Sequence, residues 1–105
     1  MPVPRYHRHA RADLQALWHY IARENVLAAD RYVDGLQETA QRYAEQPGIG
    51  RLEPELVERL GVPPGITLRS FLYRNHRSYY IPDEEGIVIL RVLDVRRDRD
   101  IALGG

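Results

Sequence analysis

The chain has 105 residues, 44% of them hydrophobic and 29% charged, with 15 basic and 15 acidic side chains that cancel. That size bounds it to one domain over 1–105 with a modest core, burying ~65% of the surface an unfolded chain exposes, and the composition excludes disorder. Balanced charge gives no bulk field for nucleic acid or membrane, and no direct sequence-specific nucleic-acid binding is expected. All 15 basic residues are arginine and cysteine is absent, so lysine chemistry, disulfides, thiol nucleophiles and thiolate metal sites are excluded.

The opening Met1-Pro-Val-Pro-Arg-Tyr-His-Arg-His lacks a signal-like apolar stretch, and no run approaches the ~18 apolar residues of a membrane span, so the cytoplasm is expected. Val3 to Arg8 is short and Pro-bounded, which predicts an edge strand. From Ala10 the period changes: Leu14, Leu17, Trp18 and Ile21 form one stripe of a helix ending near Asn25. A second helix over Val26 to Glu45 places Ala29, Tyr32, Val33, Leu36, Ala40, Tyr43 and Ala44 on one face, and Gln46-Pro47-Gly48 stops it. The break at Asn25 is short enough to force an antiparallel helical hairpin, which needs a sheet to cover.

Arg51 to Gly65 reads as a connector in which Pro54 to Leu60 forms one or two helical turns. Three extended segments follow, Ile66 to Tyr73, His76 to Ile81 and Ile87 to Val95, separated by Tyr73-Arg74-Asn75 and Pro82 to Gly86. They predict an antiparallel meander. The run Ile87-Val-Ile-Leu-Arg-Val-Leu is nearly all apolar and reads as the central strand, buried on both sides. The fold class is α+β: an N-terminal edge strand, an antiparallel helical hairpin, then a three-stranded antiparallel meander, with the first strand closing one edge.

This order, with Ala12-Asp13-Leu14 opening the first helix, Tyr20-Ile21-Ala22 near its end, Ala28-Ala29 starting the second, and Arg91-Val92-Leu93 followed by Arg97-Asp98, resembles the ParE toxins of the RelE/ParE superfamily over nearly the whole chain. In that family Arg69-Ser70-Phe71 would begin the second strand and Tyr80 would close the third. The resemblance implies the toxin of a bacterial type II toxin–antitoxin pair. Such a toxin poisons DNA gyrase by binding, needs no cofactor, and is held inactive by a ParD-like antitoxin in a hetero-oligomer. The RelE branch instead implies a ribosome-dependent messenger RNA endoribonuclease, and a non-toxic binding relative is a third reading. Many relatives carry Tyr-Arg where this chain has Tyr80-Ile81, and a histidine where it has Asp94; both changes remove residues the ribonuclease branch would use.

A ribonuclease needs a base for the 2′-hydroxyl, cations on the phosphate and a donor for the leaving oxygen, roles open to Arg69, Arg74, His76, Arg77, Tyr80 and Arg91. Beyond Arg91 no histidine or tyrosine remains to serve as acid or base. His7 and His9 share one face of the edge strand, but two imidazoles do not close a metal site, and no metal is expected. The Arg96-Arg97-Asp98-Arg99-Asp100 cluster has two readings. Arg97 or Arg91 pairs with Asp94 or Asp98 as a structural tie, or Arg91, Arg96, Arg97 and Arg99 face an acidic target surface or a DNA phosphate. Trp18, Tyr32 and Tyr43 lie in apolar stripes and suit core packing. Tyr20 lies about 110° off its stripe, at the border of solvent and core. With Tyr6 on the edge strand, these aromatics are the candidate antitoxin-binding set.

Overall fold

The computed structural model describes residues 1–97, Arg97 by its backbone alone. Strand β1 (Val3–Tyr6) leads into helix α1 (Arg8–Ala22) and helix α2 (Val26–Glu45), then the two-residue β2 (Arg51–Leu52), β3 (Arg69–Tyr73), β4 (His76–Asp83) and β5 (Gly86–Asp94). The strands form one sheet in the order β1-β5-β4-β3-β2, with β1 parallel to β5 and the other pairs antiparallel. Edge strand, helical hairpin and meander therefore stand as the sequence implies.

The differences have local causes. β1 stops at Tyr6 because His7 turns to cap α1, its Nδ1 accepting the His9 N–H at 3.2 Å; His7 and His9 therefore do not share a strand face. Asn25 separates the helices as an N-cap whose Oδ1 accepts the Ala28 N–H at 2.9 Å, and α2 runs over the expected residues. β4 continues three residues past Tyr80, to Asp83, so Tyr80 sits inside the strand rather than closing it. The middle strand is β4, while β5 is an interior strand between β4 and β1.

β5 is covered on both faces. Ile87, Ile89 and Val92 join Leu17, Leu36, Ala40, Phe71 and Tyr80 in the core under the helices. Leu93 joins Leu56, Leu68 and Tyr79 in a second cluster on the other face, with Val57, Leu60, Val62 and Leu90 packed against it. The cover of that second face comes from the connector. Its Pro54–Leu56 single 3-10 turn is followed by a turn in which the Leu60 N–H reaches Leu56 O at 3.0 Å. Pairing passes from Tyr79 opposite Arg91 to Tyr80 opposite Ile89, leaving Leu90 as an extra residue, a bulge that shifts the alternation of β5. A strand that is buried on two faces and bulged in its middle reads as an unbroken apolar run.

Gly86 starts β5 at φ 139°, a region open to glycine, and lies against β1: an added Cβ would collide with Val3 O. Gly48 meets nothing within 4 Å. Gly86→Ala is expected to lower stability by about 2–4 kcal/mol, while Gly48→Ala stays within about 0.5 kcal/mol of the parent. Urea unfolding of the two variants checks this, and equal midpoints would overturn it.

Candidate functional site

Where α1 passes over the end of β5, the hairpin leaves part of the sheet uncovered, and the result is a groove of about 830 Å³. Leu17, Ile21 and Val92 supply apolar surface, and Tyr20, Tyr32, His76, Asp94 and Arg96 supply polar groups. Tyr20 is 68% exposed, as its angular position off the α1 stripe implies.

A bidentate ion pair fixes the α1 wall. Arg91 Nε and one terminal nitrogen donate to the two Asp13 carboxylate oxygens at 2.8 and 3.0 Å, and the Val92 N–H donates to Asp13 Oδ2 at 2.9 Å. The cause lies in the sheet: β1 ends with Tyr6 opposite Ile89, so beyond Ile89 β5 has lost its neighbour, and the carboxylate takes the amide that β1 no longer serves. The hydrogen bonds that Arg91 donates to Asp13 raise its already high pKa.

The opposite wall is a polar chain. Tyr32 Oη accepts the Asn75 N–H at 3.2 Å and lies 2.7 Å from His76 Nδ1. His76 pairs across the strands with Asp94, whose carboxylate is held by Arg96 through its backbone N–H and Nε at 2.9 Å and a terminal nitrogen at 2.8 Å. These bonds hold the Asp94 carboxyl well below the usual carboxylate range. Burial lowers the His76 pKa, with Asp94 opposing and Arg96 reinforcing the shift, and burial raises that of Tyr32.

The residues expected to cut RNA are dispersed. Tyr80 is 0% exposed; its hydroxyl donates to Pro47 O at 2.6 Å and accepts the Gly50 N–H at 3.1 Å, bracing the turn after α2. Arg69 donates to Gly50 O at 2.9 Å. Arg77 points to the other face, where it donates to Ser70 Oγ at 3.1 Å. Arg74 is exposed in the β3–β4 turn at φ 49°, with its guanidinium 5.6 Å from the Tyr73 ring centre. Only His76 of that set lines the groove, and Arg91 is committed to Asp13.

The structural tie expected at the strand end exists with different partners: Arg91 meets Asp13, and Asp94 meets Arg96. Sequence reasoning missed Asp13 as the partner because 78 residues separate the two. Arg99, Asp98 and Asp100 lie outside the described residues, as does the side chain of Arg97.

Among the candidate aromatics, Tyr20 and Tyr32 border the groove. Tyr43 stacks on Phe71 at 4.5 Å, and Tyr6 is packed against the core with its hydroxyl pushed up to about 12 by burial. Trp18 Nε1 donates to Asp30 Oδ1 at 2.8 Å and clamps α1 to α2. Tyr6 and Tyr43 are half-buried and packed against the core, away from the residues that line the groove. Among the described residues no group of three or more His, Cys, Asp or Glu could hold a metal ion, and no helix is long and apolar enough to cross a membrane.

A family model described as the ParE toxin of the type II toxin–antitoxin system parDE matches residues 5–99. Of the solved structures, a chain described as the chromosomal ParDE TA system from P. aeruginosa superposes with a TM-score of 0.60 at 22% identity, covering 90% of this chain and 96% of that one, a likeness of fold. No curated protein matches the chain.

Asp13→Ala leaves both Arg91 and the Val92 N–H without this partner and is expected to cost about 2–3 kcal/mol; Arg91→Ala, which spares the bond to Val92, costs less. Urea midpoints in that order support the account, and the reverse order sinks it. His76 is neutral more readily in the folded chain than in the unfolded one, so its contribution is complete above about pH 6.5 and is lost as pH falls below that value. The thermal midpoint of His76→Gln should accordingly change less between about pH 7 and about pH 5 than that of the parent.

Proposed function

The chain belongs to the ParE toxin family of type II toxin–antitoxin systems, and on that basis we propose that it is a cytoplasmic toxin that acts by binding, poisons DNA gyrase and is neutralised by a ParD-like antitoxin in a hetero-oligomer. The observation that carries the binding reading is the dispersal of the polar groups a nuclease would need. Tyr80 is sealed in the core, Arg69 and Arg91 are bonded to the scaffold, and Arg77 lies on the opposite face from His76. General acid–base catalysis requires such groups within hydrogen-bond reach of one reacting phosphate. Gyrase as the target rests on the resemblance of the chain to ParE toxins.

The groove supplies what an amphipathic helix requires: an apolar floor, an exposed aromatic at its border, and polar groups on both walls. Tyr20 and Tyr32 are the residues proposed to meet the antitoxin there. The target-facing residue supported by its exposure is Arg96, whose side chain is 83% accessible at the end of β5. Arg91 is withdrawn from that role by Asp13.

The deciding experiment is a gyrase supercoiling and cleavage assay with the purified chain beside primer extension of transcripts from cells expressing it. Trapped gyrase–DNA breaks with intact transcripts are expected. Codon-phased cuts with unaffected gyrase would move the function to the ribosome and make His76 the first residue to test. For the antitoxin surface, Tyr20→Ala is expected to weaken binding about tenfold, about 1.4 kcal/mol, with no loss of thermal stability. Unchanged affinity would remove the groove from that interface.

A further inference from the structure

The polar wall of the groove brings together four side chains from three parts of the chain: Tyr32, His76, and the neighbours Asp94 and Arg96. Tyr32 Oη accepts the Asn75 N–H and lies 2.7 Å from His76 Nδ1; when the ring is neutral with its proton on Nε2, the tyrosine O–H donates to Nδ1. Its surroundings are defined. Tyr32 faces it from α2 and Tyr73 from β3, Asp94 lies opposite on β5, and Arg74 precedes it in the turn. Across the groove stand Tyr20 and Asp13 of α1, the latter already paired with Arg91. Beyond Asp94 lies Arg96, which satisfies both carboxylate oxygens while its own side chain is 83% exposed at the rim.

The charge of the groove is asymmetric towards a partner. Asp13 and Asp94, the acids lining it, are both matched by arginines of this chain. Arg74, next to the lining residue Asn75, and Arg23, two residues beyond Ile21, make no ion pair among the described residues. An incoming acidic segment finds the exposed Arg96 guanidinium at the rim, and an incoming basic one finds carboxylates already occupied.

We infer that an acidic amphipathic segment of the protein partner seats in this groove and draws Arg96 off Asp94, so that binding takes up one proton at His76. The inference rests on the antitoxin reading for the identity of the partner, and its chemistry rests on the groove. Once Arg96 turns to a partner carboxylate, Asp94 faces His76 with its charge unmatched and favours the imidazolium. The proton comes from solvent and sits on Nδ1, which then donates to Tyr32 Oη while the tyrosine proton turns towards the groove. The sign follows: above the bound-state pKa of His76 the ring is neutral with or without partner, and affinity does not vary with pH. As pH falls from there towards the lower pKa of the free chain, affinity rises.

Two measurements test this. In the free, full-length protein the imidazole resonances of His76 are titrated in the parent and in Arg96→Ala, an exposed position where the fold is not at stake. The midpoint is expected to rise by about one unit, a tenfold shift in the protonation equilibrium, and an unmoved or lowered midpoint would overturn the coupling. The second uses the purified product of the reading frame adjacent to this one as probe. The parent should bind it roughly threefold to tenfold more tightly at about pH 6 than at about pH 8, and His76→Gln should bind with a flat profile. Tighter binding at the higher pH, or a pH dependence that survives in His76→Gln, would overturn the proton uptake. No binding at either pH would sink the antitoxin reading for that product and the seating with it, whereas the titration alone decides the Arg96–Asp94–His76 coupling.

Discussion

A single carboxylate holds the two layers of this protein in register. Asp13, one turn into α1, receives both arms of the Arg91 fork and the Val92 amide, and so attaches the helical hairpin to β5 just past the Leu90 bulge. The site is needed because β1 is short: where β1 turns into α1, β5 loses its neighbour, and a backbone amide left without water or partner costs about 1–3 kcal/mol. The same residue that satisfies the amide also sets where α1 crosses the sheet. The groove follows from that crossing, since Asp13, Leu17 and Ile21 form its α1 wall.

The sheet has a core on each face, and this separation decides the chemistry available to the molecule. Leu36 of α2 packs with Phe71, Tyr80 and Ile89 on one face, while Leu56 of the connector packs with Leu68, Tyr79 and Leu93 on the other. Because neighbours along a strand point to opposite faces, His76 and Arg77 cannot serve one site. Tyr79 and Tyr80 likewise enter different cores. An arginine-rich sheet in the sequence thus becomes scattered scaffold contacts in the fold, with Arg69 on Gly50 and Arg77 on Ser70. What stays accessible is a groove with an exposed aromatic at its border and an arginine at its rim.

The sequence by itself determined the layers. The 3.6-residue stripes of Leu14 to Ile21 and Ala29 to Ala44, the asparagine cap at Asn25 and the Pro47-Gly48 stop define the hairpin, because helix periodicity and capping are local properties. The turns at Arg74-Asn75 and Glu84-Glu85 define the meander for the same reason. The angular position of Tyr20 on its helix was enough to place it at the solvent border. Local pattern could not reveal that β1 runs parallel to β5, that β2 exists, or that Leu90 is a bulge, since each depends on which segment lies alongside. Only the tertiary structure joined Asp13 to Arg91, put Tyr32 beside His76, and packed Tyr6 and Tyr43 against the core. Those pairings join residues far apart in the chain, and ion pairs and hydrogen bonds at that range carry no periodic signature. They arise from the shape in which the two apolar faces of the sheet are covered.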